Sequence, residues 1–279
     1  MHIRIALAGL LIASVAAAKD DVRCRSRVVF PASKLSVTVP IERVRSGAFV
    51  RARVNAHPES LLFLIDSGSP HTLINTSIAK HLGFADVREA KNGSSIDIGE
   101  VAVDRVDLVA TDLAPLTKSW GRKVDGVIGY DLLCRAEVSI DYEKSQLTLT
   151  QPAVFQYNGD GDSLKLYLRN GYSFVQGTIK VTGRPAVIDV FLVDSGSPDA
   201  VNHPIIRDSK GPLRKISTAN VLGPNEWFQL GKYTIGSTNS ICCSSEENNR
   251  QIGAEVLSRF RLVTFDYPHH RLIVERVGR

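Results

Sequence analysis

Two aspartates in this chain are followed by the same residues, and they are its strongest candidates for acid–base chemistry. Asp66 and Asp194 each come after an apolar run and each begin the sequence Asp-Ser-Gly-Ser-Pro, with 128 residues between equivalent positions. A lone aspartate at the end of a buried strand is costly to ionise. Two such residues brought face to face can share one proton, so that one is a general acid and the other a general base.

The repeat extends well beyond the aspartates. An apolar segment around Gly129 returns in altered form around Gly253, and further strand-like segments follow each of them. The two copies cover residues 35–150 and 164–275, which is too long for a solenoid repeat but is the size of a small domain. The sequence therefore predicts a duplicated domain, whose two copies bring the aspartates together across a pseudo-two-fold axis.

The hydrophobic pattern is typical of an all-β protein. Apolar and polar residues alternate over 50–54, whereas the runs before the two aspartates, 61–65 and 187–193, are apolar as in strands buried on both faces. Residues 151–163, with Pro152 and several Gly and Asp residues, are predicted to link the two copies. Short helices are predicted at residues 76–82, 131–135 and 255–260.

The first 18 residues are predicted to be a secretory signal peptide. A weakly basic start is followed by an apolar stretch and by Ala16-Ala17-Ala18, a small-residue cleavage site. The apolar stretch is short for a membrane span, and an uncleaved N-terminal anchor is the alternative. We therefore expect a protein that is exported to the periplasm or secreted and has no stable membrane insertion.

Charge and cysteine content narrow the function classes. The chain has 34 Lys and Arg against 29 Asp and Glu, and its basic residues are not clustered among aromatics, so nucleic-acid binding is not indicated. An exported protein could join its four cysteines in three ways, which the sequence leaves open. No Cys or His spacing typical of zinc is present, and we expect His269-His270 to lie on a surface turn. Neither a metal nor an organic cofactor is implied. The cysteines are Cys24, Cys134, Cys242 and Cys243.

Each half of the chain resembles a retropepsin-type aspartic protease domain, as found in retroviral proteases and in bacterial aspartyl protease family proteins. The resemblance rests on apolar-apolar-Asp-Ser-Gly-Ser and on the downstream apolar-apolar-Gly before a short helix, and it covers nearly all of the chain after the leader. It implies an all-β fold of two retropepsin-like, acid-protease β-barrel lobes in one chain. The lobes would be residues 19–150 and 164–279, related by a pseudo-two-fold axis, and we expect a monomer.

The resemblance also implies a function. The chain would be an aspartic endopeptidase in which Asp66 and Asp194 activate a water molecule that attacks a peptide bond. Its partner would be an extended polypeptide substrate, bound partly by strand addition. Flaps that close over this substrate are best placed at residues 91–94 and 222–225.

Supporting roles follow for the residues around the pair. The resemblance implies that the hydroxyls of Ser67 and Ser195 brace the two halves and that Gly129 and Gly253 allow close packing. The glycine that lies two residues after each aspartate permits a tight turn and lets backbone N–H groups approach the carboxylates. The remaining serines would bond the outer carboxylate oxygens. These glycines are Gly68 and Gly196, and these serines are Ser69 and Ser197.

The sequence departs from the pattern in its second copy, where Gln251 stands at an apolar position, and Pro70 and Pro198 stand where Ser or Thr is usual. The alternative function is therefore a catalytically silent peptide-binding protein with the same bilobal cleft. A third is a protease that processes its own residues 19–31. A serine nucleophile is disfavoured because no Gly-x-Ser-x-Gly elbow is present and the copies do not share a histidine.

Overall fold

The computed structural model describes residues 24–84, 91–217, 220–242 and 250–276. Strands dominate it, which confirms the all-β prediction. The strands of the first half are β1 (Arg27–Val29), β2 (Ser36–Val44), β3 (Gly47–Val54), β4 (Leu61–Ile65), β5 (Thr72–Asn75), β6 (Lys91–Ile98), β7 (Val101–Thr111), β8 (Gly126–Ile128), β9 (Glu137–Asp141) and β10 (Gln146–Thr150).

The second half is also built from strands, and the helices of both halves are short. Its strands are β11 (Asp162–Lys165), β12 (Tyr167–Arg169), β13 (Tyr172–Lys180), β14 (Val187–Asp194), β15 (Val201–Asn202), β16 (Arg214–Lys215), β17 (Val221–Pro224), β18 (Trp227–Leu230), β19 (Tyr233–Gly236), β20 (Asn239–Cys242), β21 (Gln251–Gly253), β22 (Leu262–Asp266) and β23 (Arg271–Glu275). The helices are α1 (Thr76–His81), α2 (Ala114–Trp120), α3 (Tyr130–Leu133) and α4 (Ala254–Leu257), with 3-10 turns at Pro152–Val154 and Pro204–Asp208.

The first half contains a closed six-stranded barrel. Its strands pair in the order β3, β4, β8, β5, β7 and β6, and β6 returns to β3. All five residues of β4 are buried, as predicted for a strand covered on both faces. In the second half β14 pairs with β21, as β4 pairs with β8, within a ten-stranded sheet.

A sheet shared by both halves joins them on one side. Strands β2, β10, β9, β22, β23 and β11 pair in that order, and β9 and β22 meet at its centre. Val138 lies opposite Phe265 in this central pair, and both side chains are fully buried. Because β9 belongs to the first copy and β22 to the second, the hydrophobic core is continuous across the repeat.

A disulfide bond connects Cys24 to Cys134, a separation of 110 residues. It fixes the start of the described chain to the residue that follows α3, and it is one of the pairings that the sequence left open. Cys242 is buried in β20, whereas Cys243 lies outside the described residues. The predicted signal peptide also lies outside them. Within the described ranges, no helix is long and apolar enough to cross a membrane.

Candidate active site

The two aspartates stand at equivalent ends of equivalent strands. Asp66 directly follows β4, and its backbone N–H donates to the carbonyl of Ile128 at the end of β8. Asp194 is the last residue of β14 and lies beside Gly253 of β21 in a parallel pair. Each half therefore delivers its carboxyl group at the point where two parallel strands end together, and the pseudo-two-fold arrangement brings the two ends face to face.

The turn after each aspartate holds its carboxylate with backbone N–H groups. Gly68 N donates to Asp66 Oδ1 at 2.7 Å, and Gly196 N donates to Asp194 Oδ1 at 3.0 Å. The backbone N–H of Ser197 donates to the same oxygen of Asp194 at 3.0 Å. These bonds fix the orientation of each carboxyl group.

The hydroxyl groups of Ser67 and Ser195 cross between the two halves. Ser67 Oγ donates to the carbonyl of Val193 at 2.7 Å and accepts from the backbone N–H of Ser195 at 3.0 Å. Ser195 Oγ donates to the carbonyl of Ile65 at 2.9 Å and accepts from the N–H of Ser67 at 2.9 Å. All four bonds are buried, so they hold the two active-site loops in one fixed relation, as the resemblance implied.

Glycine is required after each serine because the opposite carboxyl group is so close. A Cβ atom on Gly68 would lie 2.4 Å from Cγ of Asp194, and one on Gly196 would lie 2.1 Å from Cγ of Asp66. Real Cβ contacts do not approach these values, so any side chain would displace the partner aspartate. The requirement is clearance across the pseudo-two-fold axis, in addition to the tight turn that the sequence predicted.

The two carboxyl groups are in hydrogen-bonding contact and are coupled electrostatically. Burial raises the pKa of Asp194 well above its ordinary value, and the neighbouring charge of Asp66 raises it further. Burial also raises the pKa of Asp66, but hydrogen bonds from Asp194, Gly68 and Gly196 oppose the rise. The pair consequently holds one proton, shared between Asp66 and Asp194, over an intermediate pH range.

The outer serines act differently from the prediction. Ser69 Oγ donates to the carbonyl of His71 at 2.7 Å, and Ser197 Oγ lies 3.4 Å from a carboxylate oxygen of Asp199. Their hydroxyls therefore stabilise the turns, and it is the backbone N–H of Ser197 that reaches Asp194. The sequence showed that these serines repeat, but side-chain direction in a turn depends on the backbone path.

The downstream glycines pack against these turns. A Cβ on Gly129 would lie 2.5 Å from the carbonyl oxygen of Ser69, and one on Gly253 would lie 2.1 Å from that of Asp199. The residue after each glycine then donates its N–H to the turn, from Tyr130 to Ser69 and from Ala254 to Ser197. The close packing that the resemblance implied for this position is thus present in both halves.

Three aromatic residues near the pair were not predicted from the sequence. Trp120, at the end of α2, donates its indole N–H to the carbonyl of Gly196 at 3.1 Å, and Tyr267 donates its hydroxyl to the carbonyl of Ser67 at 3.3 Å. Each bond again joins one half to the other. Burial raises the pKa of half-buried Tyr172, and the charges of both aspartates raise it further.

Neither predicted flap segment forms a free hairpin tip among the described residues. Residues 91–94 begin β6, which pairs with β7, and the residues just before them, 85–90, lie outside the described residues. Leu222–Pro224 lies within β17, which pairs with β20 along its whole length. The flap assignments therefore remain predictions.

Comparison with known proteins supports the fold but no closer relationship. No protein-family model matches the chain, and no curated protein sequence matches it. Among solved structures, 394 chains match. One is the aspartic proteinase from Irpex lacteus, with a TM-score of 0.52 and 12% sequence identity over 87% of this chain and 98% of that chain. The chain therefore has the bilobal fold of an aspartic proteinase, whereas the retropepsin resemblance of its halves stays a prediction.

Proposed function

We propose that the protein is an aspartic endopeptidase that hydrolyses peptide bonds with a water molecule activated between Asp66 and Asp194. The observation that carries the proposal is the contact of two carboxyl groups, Asp194 buried and Asp66 partly buried, held together by the crossed bonds of Ser67 and Ser195. Bringing two carboxyl groups out of water and against each other costs free energy. Peptide binding alone would not require that arrangement, whereas acid–base catalysis does.

The one proton on the pair gives its two members different catalytic roles. The ionised carboxylate takes a proton from the water, whose oxygen attacks the peptide carbonyl carbon. The protonated carboxyl group donates its proton to the carbonyl oxygen. When the tetrahedral intermediate collapses, the first carboxyl group gives its proton to the leaving nitrogen and the second recovers one from the hydroxyl. Atoms and charges balance, and no covalent enzyme intermediate forms.

The departure at Gln251 is compatible with catalysis in the second half. Gln251 pairs in register with Leu192, and Gly253 keeps its place beside Asp194. The Gln251 side chain is only half-buried, so a polar residue is tolerated there. The strand ends that deliver the two aspartates are therefore built alike despite the change.

The cleft would take an extended polypeptide, and we propose an extracytoplasmic setting for it. Backbone pairing with strands beside the pair would supply affinity, while alternate side chains would supply specificity. The predicted leader motivates export, and the Cys24–Cys134 disulfide is compatible with an oxidising compartment.

Replacement of each aspartate tests the proposal. Asp66→Asn and Asp194→Asn should each lower kcat for a quenched peptide pool by at least about 10³-fold, because either one alone lacks its proton-transfer partner. The exposed Asp160→Asn is the matched control and should keep wild-type turnover. Circular dichroism checks that all three variants fold. Turnover near the wild-type value in either dyad variant would refute the assignment.

The silent peptide-binding alternative predicts a different binding preference. A peptide with a statine-type hydroxyl at the attacked position should bind an active pair more tightly than the matched peptide without it, because enzymes favour the transition state. Calorimetry on wild type and Asp66→Asn measures both affinities. Equal affinities in both proteins would support the silent binder.

A further inference from the structure

A second cluster of ionisable groups lies away from the aspartate pair, in the sheet that joins the two halves. Glu137 begins β9, Asp266 ends β22, and His269 follows in the turn before β23. One ligand atom from each lies within 4.8 Å of the other two. Nδ1 of His269 is 3.4 Å from Oε1 of Glu137 and 2.7 Å from Oδ1 of Asp266. The cluster draws one residue from the first copy and two from the second.

Glu137 is the feature of this cluster that calls for a ligand. Its side chain is 0% exposed, and neither carboxylate oxygen accepts a hydrogen bond of normal geometry, although Nδ1 of His269 lies 3.4 Å from Oε1. A buried carboxylate that accepts no full hydrogen bond is unfavourable, and such groups are normally paired or bound to a cation. The carboxylate is directed at His269 and Asp266, so a cation held among the three would satisfy it.

The other two residues are already oriented as ligands would be. Nε of Arg271 donates to Oδ2 of Asp266 at 2.8 Å, which fixes that carboxylate and leaves Oδ1 turned to His269. Asp266 is fully buried, whereas the His269 side chain is 44% exposed, so an ion could enter past the imidazole. Outer partners that orient a ligating carboxylate in this way are a regular part of metal sites.

We propose that Glu137, Asp266 and His269 bind one divalent transition metal ion of the zinc type. One imidazole nitrogen and two carboxylate oxygens, with water as the fourth ligand, form a donor set that suits Zn²⁺ better than Ca²⁺ or Mg²⁺. Tetrahedral ligands ~2.0–2.2 Å from zinc lie ~3.3–3.5 Å apart. The 3.4 Å between Nδ1 of His269 and Oε1 of Glu137 already matches this spacing. The 2.7 Å between Nδ1 of His269 and Oδ1 of Asp266 would lengthen when the metal replaces the proton between them.

The ion would tie the two halves of the chain together on the joining sheet. Glu137 is the first residue of β9, and Asp266 is the last residue of β22, the strand that pairs with β9. One ion would therefore bridge the boundary between the two copies. Its role would be structural. None of its three ligands is among the residues that hold the aspartate pair.

The test uses the purified chain without a polyhistidine tag, stripped with EDTA and dialysed. Calorimetric titration with ZnCl₂ at pH 7.5 should show one ion per chain with a Kd below about 10 μM, and the thermal midpoint should rise by several degrees. Co²⁺ should give visible absorption without a thiolate charge-transfer band, which excludes binding by cysteine. CaCl₂ should bind more weakly than zinc.

Variants locate the site. Glu137→Gln and His269→Gln should each weaken zinc binding at least about tenfold. His270→Asn is the control, since it removes the adjacent imidazole and its positive φ of 56° is tolerated by asparagine. In the absence of metal, Glu137→Gln should melt at or above the wild-type temperature, so lost binding cannot be mistaken for misfolding.

Several outcomes would overturn the proposal. They are no zinc binding by the wild type up to millimolar concentration, unchanged affinity in both ligand variants, an equal loss in His270→Asn, or tighter binding of calcium than of zinc. If the wild type binds no zinc, a shared proton would be the only occupant of the cluster. None of these readouts uses a peptide substrate, so the outcome is independent of whether the chain is a protease.

Discussion

Ser67 and Ser195 each bond to the backbone of the opposite half, and neither uses its hydroxyl on its own strand. The Ser67 hydroxyl donates to the carbonyl of the residue just before Asp194, and the Ser195 hydroxyl donates to that of the residue just before Asp66. Each loop that carries an aspartate is thus positioned by the other, which makes the geometry of the pair a property of the assembled chain.

Removal of these hydroxyls should impair catalysis more than binding. Ser67→Ala or Ser195→Ala leaves a buried carbonyl and a buried N–H without their partner, which should cost about 1–3 kcal/mol of unfolding free energy. The loosened pair should show a lower kcat for peptide hydrolysis with little change in KM. Threonine at either position keeps the hydroxyl and is the control. Equal kcat in alanine and threonine variants would show that the crossed bonds have no part in catalysis.

Alanine in place of the active-site glycines should displace the opposite aspartate. In Gly68→Ala or Gly196→Ala the new methyl group would lie within 2.5 Å of a carboxyl carbon, so we expect peptide hydrolysis to fall at least about 10²-fold. Gly236→Ala is the matched control, because nothing lies within 4 Å of its Cβ position. A steady-state assay with thermal melts compares the three proteins, and normal turnover in Gly68→Ala would contradict the clearance argument.

The pH dependence of catalysis should be bell-shaped. The active form carries one proton on the pair, so kcat/KM should fall at low pH as the pair takes up a second proton and at high pH as it loses the remaining one. Because burial raises the pKa of Asp194 well above its ordinary value, the high-pH limb should lie above the range of an ordinary carboxyl group. Rates of peptide hydrolysis measured from about pH 2 to about pH 9 test this profile, because that range includes both limbs. A rate that rises steadily to alkaline pH would instead indicate a different nucleophile.

The disulfide should contribute measurably to stability. Its bond restrains a loop of 110 residues in the unfolded chain, and its loss typically costs 2–5 kcal/mol in small secreted domains. We expect the double variant Cys24→Ser/Cys134→Ser to unfold at a lower urea concentration than the wild type. Its free energy of unfolding should be lower by about 2–4 kcal/mol. An unaltered urea midpoint would show that the N-terminal attachment is energetically neutral.

The sequence by itself determined the features that repeat. The two Asp-Ser-Gly-Ser copies, the apolar runs before them and the downstream glycines predicted a duplicated all-β chain with Asp66 and Asp194 paired. The physical reason is that strand burial and turn chemistry depend on local residue order. The alternation of apolar and polar residues indicates strand burial, and the positions of the glycines indicate turns, each from a few neighbouring residues.

Only the tertiary structure decided what depends on the approach of distant segments. It brought Trp120 and Tyr267 to the opposite loops and joined Cys24 to Cys134. The Ser69 and Ser197 hydroxyls bond to residues two positions away, within turns whose backbone path the sequence did not reveal. The tertiary structure also gathered Glu137, Asp266 and His269, whose positions in the sequence show no metal-binding spacing. Such contacts are set by the register of β9 against β22 and by the pseudo-two-fold packing of the halves, because residues 76 to 200 positions apart meet only after the strands have paired.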